Sequence, residues 1–115
     1  MSDVFSFSHG DSPLLISVPH DGRLIPDEQR ARMTGAGLAI PDTDWHVAEL
    51  YDFARGLGAS LLVAQYSRYV VDLNRAPDDS APENKDGVIK SHTCYDIEVY
   101  RPGRLPGGEL KQILL

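Results

Sequence analysis

Short apolar runs separated by polar turns predict three strands in the first 75 residues. Residues 14–18 (LLISV) lie between two prolines, and residues 60–65 (SLLVAQ) form a second apolar run. Both runs have the length and the flanking residues that are typical of buried strands. Residues 69–73 (YVVDL) predict a third strand. Because only a few residues separate it from the second, we expect it to be antiparallel or a bent continuation.

A repeating apolar stripe predicts the longest helix of the chain. Its members follow the spacing i, i+3, i+4, i+7 and i+10 and are Val47, Leu50, Tyr51, Ala54 and Leu57. This spacing places them on one helical face. We predict that Asp42 or Thr43 caps the start of the helix, since short polar side chains accept hydrogen bonds from its first free N–H groups. Gly56 and Gly58 are expected to end it.

A shorter helix is predicted before the stripe, and the order of elements indicates the fold class. Pro26 stands where a first helical residue is favoured, so residues 26–33 predict a short helix. Residues 34–37 (TGAG) are expected to break it. The order strand, helix, strand predicts a βαβ unit with parallel strands, and therefore an α/β fold.

The last third of the chain has a different character. Residues 76–108 are rich in proline and polar residues and lack periodicity, so we predict a long loop region within a single domain spanning 1–115. Leu110, Ile113 and Leu114 have helical spacing at the very end. An apolar face at the very end has nothing to cover it, so we expect the chain to be the N-terminal fragment of a longer domain.

Charge and cysteine content exclude some classes of function. The formal net charge is −6, which argues against nucleic acid or an anionic membrane surface as the main partner. An anionic small molecule would need arginines gathered at one site. A single cysteine, Cys94, cannot form an intrachain disulfide, and this indicates a reducing, cytoplasmic setting. The N-terminus lacks signal-peptide features, and no apolar run approaches the roughly 20 residues of a membrane span.

The first candidate for chemistry is the segment SVPHDG at residues 17–22. It places His20 and Asp21 at the carboxyl end of a predicted strand, where ligands bind in open α/β sheets. Imidazole nitrogen is a good zinc ligand, and a neighbouring carboxylate can orient it. The alternative interpretation is a loop histidine beside a turn-forming aspartate.

The second candidate is PDTDWHV at residues 41–47. Asp42 and Asp44 lie at a predicted helix start, where carboxylates often do no more than cap the helix. One acid suffices as a cap, so the other can face a cation. His46 lies about 200° around the helix from Asp44 and is interpreted as a solvated residue.

The third candidate is YSRYVVDLNR at residues 66–75. Arg68 precedes the predicted strand, and Asn74 and Arg75 follow it. An arginine fork and an oriented amide suit a carboxylate ligand. The alternative is an ordinary strand end in which Asp72 pairs with an arginine.

Together these segments carry a family resemblance. The stretches SVPHDGRLIP, PDTDWHVAELYDFARGLGA and YSRYVVDLNRAPDD resemble the N-terminal half of N-formylglutamate amidohydrolases, with a looser similarity at YRPGRLP. The resemblance implies hydrolysis of N-formyl-L-glutamate to formate and glutamate in histidine degradation. It also implies a three-layer α/β/α fold with a mixed sheet, similar to that of zinc-dependent carboxypeptidases and aspartoacylase-like hydrolases.

The resemblance also implies a divalent metal, zinc, and its ligands. His20 corresponds to the first metal ligand and Asp44 to the carboxylate ligand, with Asp42 in reserve. Family members carry a further histidine, within an Asp-x-His-Ser motif, in their second half. His92 lacks that context and is not assigned as a ligand.

The substrate implied by the resemblance is a small anionic acyl-amino acid. Asn74 and Arg75 correspond to a pair that binds the glutamate carboxylate, while Arg68 would hold the second carboxylate or the developing oxyanion. Two alternatives stay open: a related metal-dependent N-acyl-amino-acid deacylase or carboxypeptidase-like hydrolase, and a non-catalytic truncated remnant.

Overall fold

The computed structural model describes residues 3–81 and 83–106 of the 115-residue chain. Its regular elements combine three short strands with four one-turn helices, so the fold is mixed α/β. In chain order they are β1 (Phe5–Ser8), β2 (Leu15–Val18), α1 (Asp27–Arg30), α2 (Gly35–Leu38), α3 (Val47–Leu50), α4 (Phe53–Gly56) and β3 (Ser60–Ala64).

The strands form one mixed sheet in the order β1-β3-β2. β2 runs parallel to the central strand β3, with Leu15 opposite Ser60 and Val18 opposite Val63. This confirms the two predicted strands and their parallel pairing. β1 pairs antiparallel to the other edge of β3. It was not predicted, although the alternating sequence FSFS is typical of a strand with one apolar face.

The predicted third strand at residues 69–73 is wrong. Residues 68–70 form a turn in which the N–H of Val70 donates to the carbonyl of Ser67 at 2.9 Å. The Oγ of Ser67 accepts from the N–H of Tyr69 at 3.1 Å. Residues 69–72 are all buried, and several of their backbone groups are paired outside a strand ladder, with the side chain of Gln29 and the carbonyl of Val88. The serine-stabilised turn therefore replaces the strand that the local pattern indicated.

The short helix after Pro26 is confirmed, although it covers only Asp27–Arg30 of the predicted residues 26–33. Residues 34–37 do not simply interrupt it. Thr34 caps α2 by accepting a hydrogen bond from the N–H of Gly37 at 3.1 Å, so the expected break contains one further helical turn.

The long helix predicted from the apolar stripe is two one-turn helices, α3 and α4, joined at residues 51–52. Asp42 and Thr43 do not cap its start, so that prediction is wrong, whereas the predicted end at Gly56 and Gly58 is confirmed, since α4 ends at Gly56 and Gly58 takes a left-handed φ of 85°. His46 takes a left-handed conformation with φ of 62°, and the carboxylate of Asp21 accepts from the N–H groups of His46 and Ala48, both at 3.1 Å. The loop after β2 thus caps the helix through tertiary contact.

The main apolar cluster lies beside the carboxyl ends of β2 and β3 and draws on three separated segments. Its buried members are Ile25, Met33, Ile40, Tyr69, Val70, Val99 and Tyr100. Gln29 donates to the hydroxyl of Tyr100 at 2.6 Å, and that hydroxyl donates to the carbonyl of Tyr69 at 3.0 Å. The cluster therefore fixes the segment that starts at Tyr69 against the rest of the chain.

Residues 76–81 and 83–106 contain turns and isolated bridges, and the elements of the described chain include no helix or strand there. Val88, Lys90 and Val99 are nevertheless almost fully buried. The helical spacing of Leu110, Ile113 and Leu114 lies outside the described residues. None of the helices in the described part of the chain is long and apolar enough to cross a membrane.

Candidate active site

Two parallel strands bring the predicted site segments to one edge of the sheet. The carboxyl ends of β2 and β3 lie side by side, and the chain after each strand continues beyond that edge. Leu24 forms a parallel bridge with Tyr66, so the two following loops are in contact. Gly22 permits this approach, because a Cβ there would lie only 2.1 Å from the carbonyl oxygen of Tyr66.

His20 is the centre of the arrangement and is buried, with 6% of its surface exposed. Its Nε2 lies 2.6 Å from Oδ1 of Asp72, and its Nδ1 lies 3.7 Å from Oδ2 of Asp44. An ionised carboxylate can only accept, so we assign the imidazole proton to Nε2. The lone pair of Nδ1 then faces the Asp44 carboxylate at a distance too long for a hydrogen bond.

The charge of Asp72 supports that assignment. Burial of this carboxyl, which is 0% exposed, opposes its ionisation. Hydrogen bonds from His20, Lys90 and the N–H of Asn74 outweigh the burial and hold the pKa of Asp72 far below its usual range. Lys90 Nζ lies 2.8 Å from Oδ2 of Asp72. The carboxylate therefore stays ionised inside the protein and available to the ring of His20.

Asp44 and Asp42 have different surroundings. The N–H of Asp44 donates to the carbonyl of His20 at 2.9 Å, and its side chain is 52% exposed beside the imidazole. The carboxylate of Asp42 instead accepts from the hydroxyl of Tyr69 and, at 3.1 Å, from the N–H of Cys94. Burial, and next the hydrogen bond to Asp42, raise the pKa of Tyr69, so the phenol remains a donor.

The two predicted arginines both approach Asp72. Arg68 Nη2 lies 3.4 Å from Oδ2 of Asp72, and Arg68 Nη1 donates to the carbonyl of Asp42 at 3.1 Å. Arg75 Nη1 lies 4.0 Å from the same Oδ2. The ion pair considered as an alternative for Asp72 is therefore present with both arginines.

Arg75 has a second and closer partner. Its Nη2 pairs with Oδ2 of Asp86 at 3.0 Å, and its Nε donates to the carbonyl of Asp86 at 3.0 Å. This pairing, more than any other influence, raises the pKa of Arg75 above its ordinary value. Residues 73–74 form a turn, and the exposed Asn74 contacts Asp72 through its backbone N–H.

The structure thus brings His20, Arg68 and Arg75 around the carboxylate of Asp72 and places Asp44 beside His20. Within residues 3–81 and 83–106, no three histidine, cysteine, aspartate or glutamate side chains are grouped closely enough to hold a metal ion by themselves.

Sequence reasoning missed the central role of Asp72 and did not consider Lys90. The signal for Asp72 was a carboxylate directly after the apolar residues 69–71. Lys90 follows the short apolar pair of residues 88–89, and no local pattern distinguishes it from a surface lysine.

Comparison with known proteins shows the family of this chain. The model of the N-formylglutamate amidohydrolase family matches residues 12–114. The chain is 45% identical over 112 residues to the N-formylglutamate deformylase of Pseudomonas putida, and 45% identical over 111 residues to that of Pseudomonas aeruginosa. Each match covers 95% of this chain and 42% of the relative, so the chain spans less than half of the length of these proteins.

A solved structure shares the fold. The crystal structure of N-formylglutamate amidohydrolase from Ralstonia eutropha JMP134 superposes with a TM-score of 0.78 at 24% identity. The match covers 95% of this chain and 44% of that one. The family model spans nearly all of the sequence, including every predicted site residue, and the chain belongs to the N-formylglutamate amidohydrolase family.

Proposed function

We propose that this chain contributes part of the active site of a hydrolase that cleaves the C–N amide bond of N-formyl-L-glutamate and releases formate and glutamate. The two relatives at 45% identity are named N-formylglutamate deformylases. One structural observation carries the proposal: the buried His20 donates from Nε2 to Asp72 and presents Nδ1 toward Asp44. This is the arrangement expected of an imidazole that is oriented for a ligand.

The donor set of His20 and Asp44 fits a divalent metal, and we propose zinc. Two atoms that each lie about 2.1 Å from a tetrahedral zinc are about 3.4 Å apart, close to the 3.7 Å between Nδ1 of His20 and Oδ2 of Asp44. Asp42 is the weaker candidate, because its carboxylate already accepts two hydrogen bonds. When bound, such an ion acidifies water and polarises a carbonyl group.

The residues of the chain would bind and orient the substrate. We propose that Arg75 binds a carboxylate of N-formylglutamate with the help of Asn74. Arg75 Nη2 already binds a carboxylate, that of Asp86, whose side chain is 67% exposed and can give way to a ligand. A planar guanidinium fork suits this exchange, since it offers parallel N–H donors to both oxygens.

Arg68 is proposed to hold the second substrate carboxylate or the oxyanion that develops as the formyl carbonyl is attacked. Its guanidinium lies between the carbonyl of Asp42 and the carboxylate of Asp72. Its Nε is buried and has no hydrogen-bond partner among the described residues. A fixed donor aimed at developing charge stabilises a transition state more than a ground state.

The wider setting of this activity is also proposed. The exposed apolar side chains of β1 and β2, among them Phe5, Phe7 and Leu15, support a further layer over the sheet, as in a three-layer α/β/α fold. The single exposed thiol of Cys94 supports a reducing, cytoplasmic location. The proposed place in histidine degradation follows from the family resemblance alone. The net charge of −6 argues against a nucleic-acid partner.

Formate release distinguishes the possible activities. The chain and a His20→Gln variant would be incubated with zinc and either N-formyl-L-glutamate or N-acetyl-L-glutamate. We expect formate from the first substrate, little acetate from the second, and neither product with the variant. Preferred release of acetate would indicate the related deacylase. Absence of both products in the folded, zinc-treated chain would indicate that this chain by itself is non-catalytic.

A further inference from the structure

The most unusual charged group of the molecule is Lys90, a lysine with 1% of its side chain exposed. Lysine is almost never fully buried unless it is paired. Its Nζ lies 2.8 Å from Oδ2 of Asp72 and also donates to Oδ1 of Asp86 and to the carbonyl of Gly87, the latter at 3.4 Å. All three ammonium protons therefore have acceptors.

Two arginines also approach Asp72, but Lys90 is its principal cation. The distances to Oδ2 are 2.8 Å from Lys90, 3.4 Å from Arg68 and 4.0 Å from Arg75. The arginine side chains are 16% and 26% exposed, so water screens them more than it screens the buried lysine.

We propose that Lys90 is a positioning residue for the candidate active site. It binds Oδ2 of Asp72 and so fixes the rotation of the carboxylate, which leaves Oδ1 on Nε2 of His20. Nδ1 of His20 is thereby directed toward Asp44. Lys90 acts on His20 only through Asp72, because its hydrogen bonds and ion pairs within the described residues are with Asp72 and with residues 86–87 of its own segment.

The proposal rests on the proposed function in one respect, namely that Nδ1 of His20 is a metal ligand. Its structural part, the tautomer of His20, can be measured without metal and without substrate. Without Lys90, the Asp72 carboxylate can rotate away from the ring, and Nε2 loses the acceptor that favours its proton.

The test compares Lys90→Met with Lys85→Met. Lys85 is a matched control, since it forms an ion pair of 2.8 Å with Asp96 but is 56% exposed. The tautomer of His20 would be read from ¹⁵N chemical shifts of the metal-free protein at about pH 8.5, well above the pH at which free imidazole titrates. The His20 signals are identified by their loss in His20→Gln.

In the wild type and in Lys85→Met we expect the proton on Nε2. In Lys90→Met we expect a mixture of tautomers and, in a zinc titration, a dissociation constant about 10- to 100-fold higher, as is typical when support for a ligating histidine is lost. A folded Lys90→Met variant with an unchanged tautomer overturns the proposal. If wild type binds no zinc, the proposed function fails while the tautomer comparison still decides the role of Lys90.

A double-mutant comparison separates positioning from general structural support. If Lys90 acts through Asp72, Lys90→Met should leave the tautomer and the zinc dissociation constant unchanged in an Asp72→Asn background. A further change in that background contradicts the proposal. This comparison also applies if the single Lys90→Met variant fails to fold, since the double variant removes both buried charges together.

Discussion

The stripe on α3 and α4 and the charged group around Asp72 reverse the ordinary relation between polarity and burial. On the stripe, Leu50 is 69% exposed and Leu57 is 75% exposed, although both are apolar. At the carboxyl edge of the sheet, Asp72 is 0% exposed and Lys90 is 1% exposed, although both are charged. Only Ala54 of the five stripe residues is buried.

The difference teaches that a periodic pattern reports which side chains share a face and leaves open what covers that face. Exposed apolar residues cost little individually and are common on protein surfaces. Buried charges are rare, and each must be matched by a partner. The buried ion pair is therefore the more informative region, and it is the one that surrounds His20.

The largest expected effect is at Asp72. Replacing it in Asp72→Asn leaves Lys90 buried with a weaker partner, and removal of one member of a buried ion pair costs about 3–5 kcal/mol. Urea denaturation would measure the free energy of unfolding. Asp96→Asn is the control, because it removes an equivalent but exposed pair with Lys85 and should leave stability almost unchanged. Equal losses in the two variants would contradict the distinction between buried and exposed charge.

The same pair predicts a dependence on pH. The folded-state pKa of Asp72 is lowered, so its charge stabilises the protein above the unfolded-state pKa of about 3.9 and this contribution is lost as the pH falls below it. The stability difference between wild type and Asp72→Asn should therefore be largest near pH 7 and shrink toward pH 3. A difference that is constant over this range would mean that charge is not what stabilises the pair.

The functional importance of the charged region is tested at Arg75. Arg75→Ala removes the guanidinium that is proposed to donate hydrogen bonds to a carboxylate of the substrate. A charge-assisted hydrogen bond is worth about 1.5–3 kcal/mol. We therefore expect kcat/KM for N-formyl-L-glutamate to fall about 10- to 100-fold. Arg55→Ala is the control, since Arg55 lies on α4 and pairs with Asp52 at 3.0 Å. If kcat/KM is unchanged in Arg75→Ala, this arginine does not bind the substrate.

A smaller loss of stability is expected at Asp21, which joins the loop after β2 to the start of α3. Asp21→Ala removes the carboxylate that accepts from the N–H groups of His46 and Ala48, and loss of a helix cap costs about 1 kcal/mol. Thr43→Val is the comparison, because Thr43 was predicted as a cap but donates to the carbonyl of Ile40. Thermal denaturation followed by circular dichroism would show whether helix content falls only in Asp21→Ala.

The smallest effect is predicted on the stripe itself. Leu57→Lys places a charge on a side chain that is 75% exposed, and such surface changes alter stability by less than about 0.5 kcal/mol. Ala54→Lys, on the same stripe but buried, should be strongly destabilising. A large loss in Leu57→Lys would mean that Leu57 is covered in solution, which would be expected if a further layer packs on this face.

The sequence by itself determined part of the local structure and the identity of the family. It predicted β2, β3, their parallel pairing and the helix after Pro26, because these depend on apolar runs, turn residues and the order of elements along the chain. The resemblance assigned His20 and Asp44 to one site, which predicts that they are neighbours. In the structure Nδ1 of His20 lies 3.7 Å from Oδ2 of Asp44.

Only the tertiary structure decided which polar groups are buried and what they contact. Asp21 became a helix cap because the loop after β2 reaches α3. Residues 69–72 became a buried segment without a ladder because several segments enclose them. Lys90 is joined to Asp72, which lies 18 positions earlier in the chain, and no local pattern encodes such a pairing. The physical reason is that the free energy of a charge depends on its surroundings in space, which neighbours in sequence do not specify.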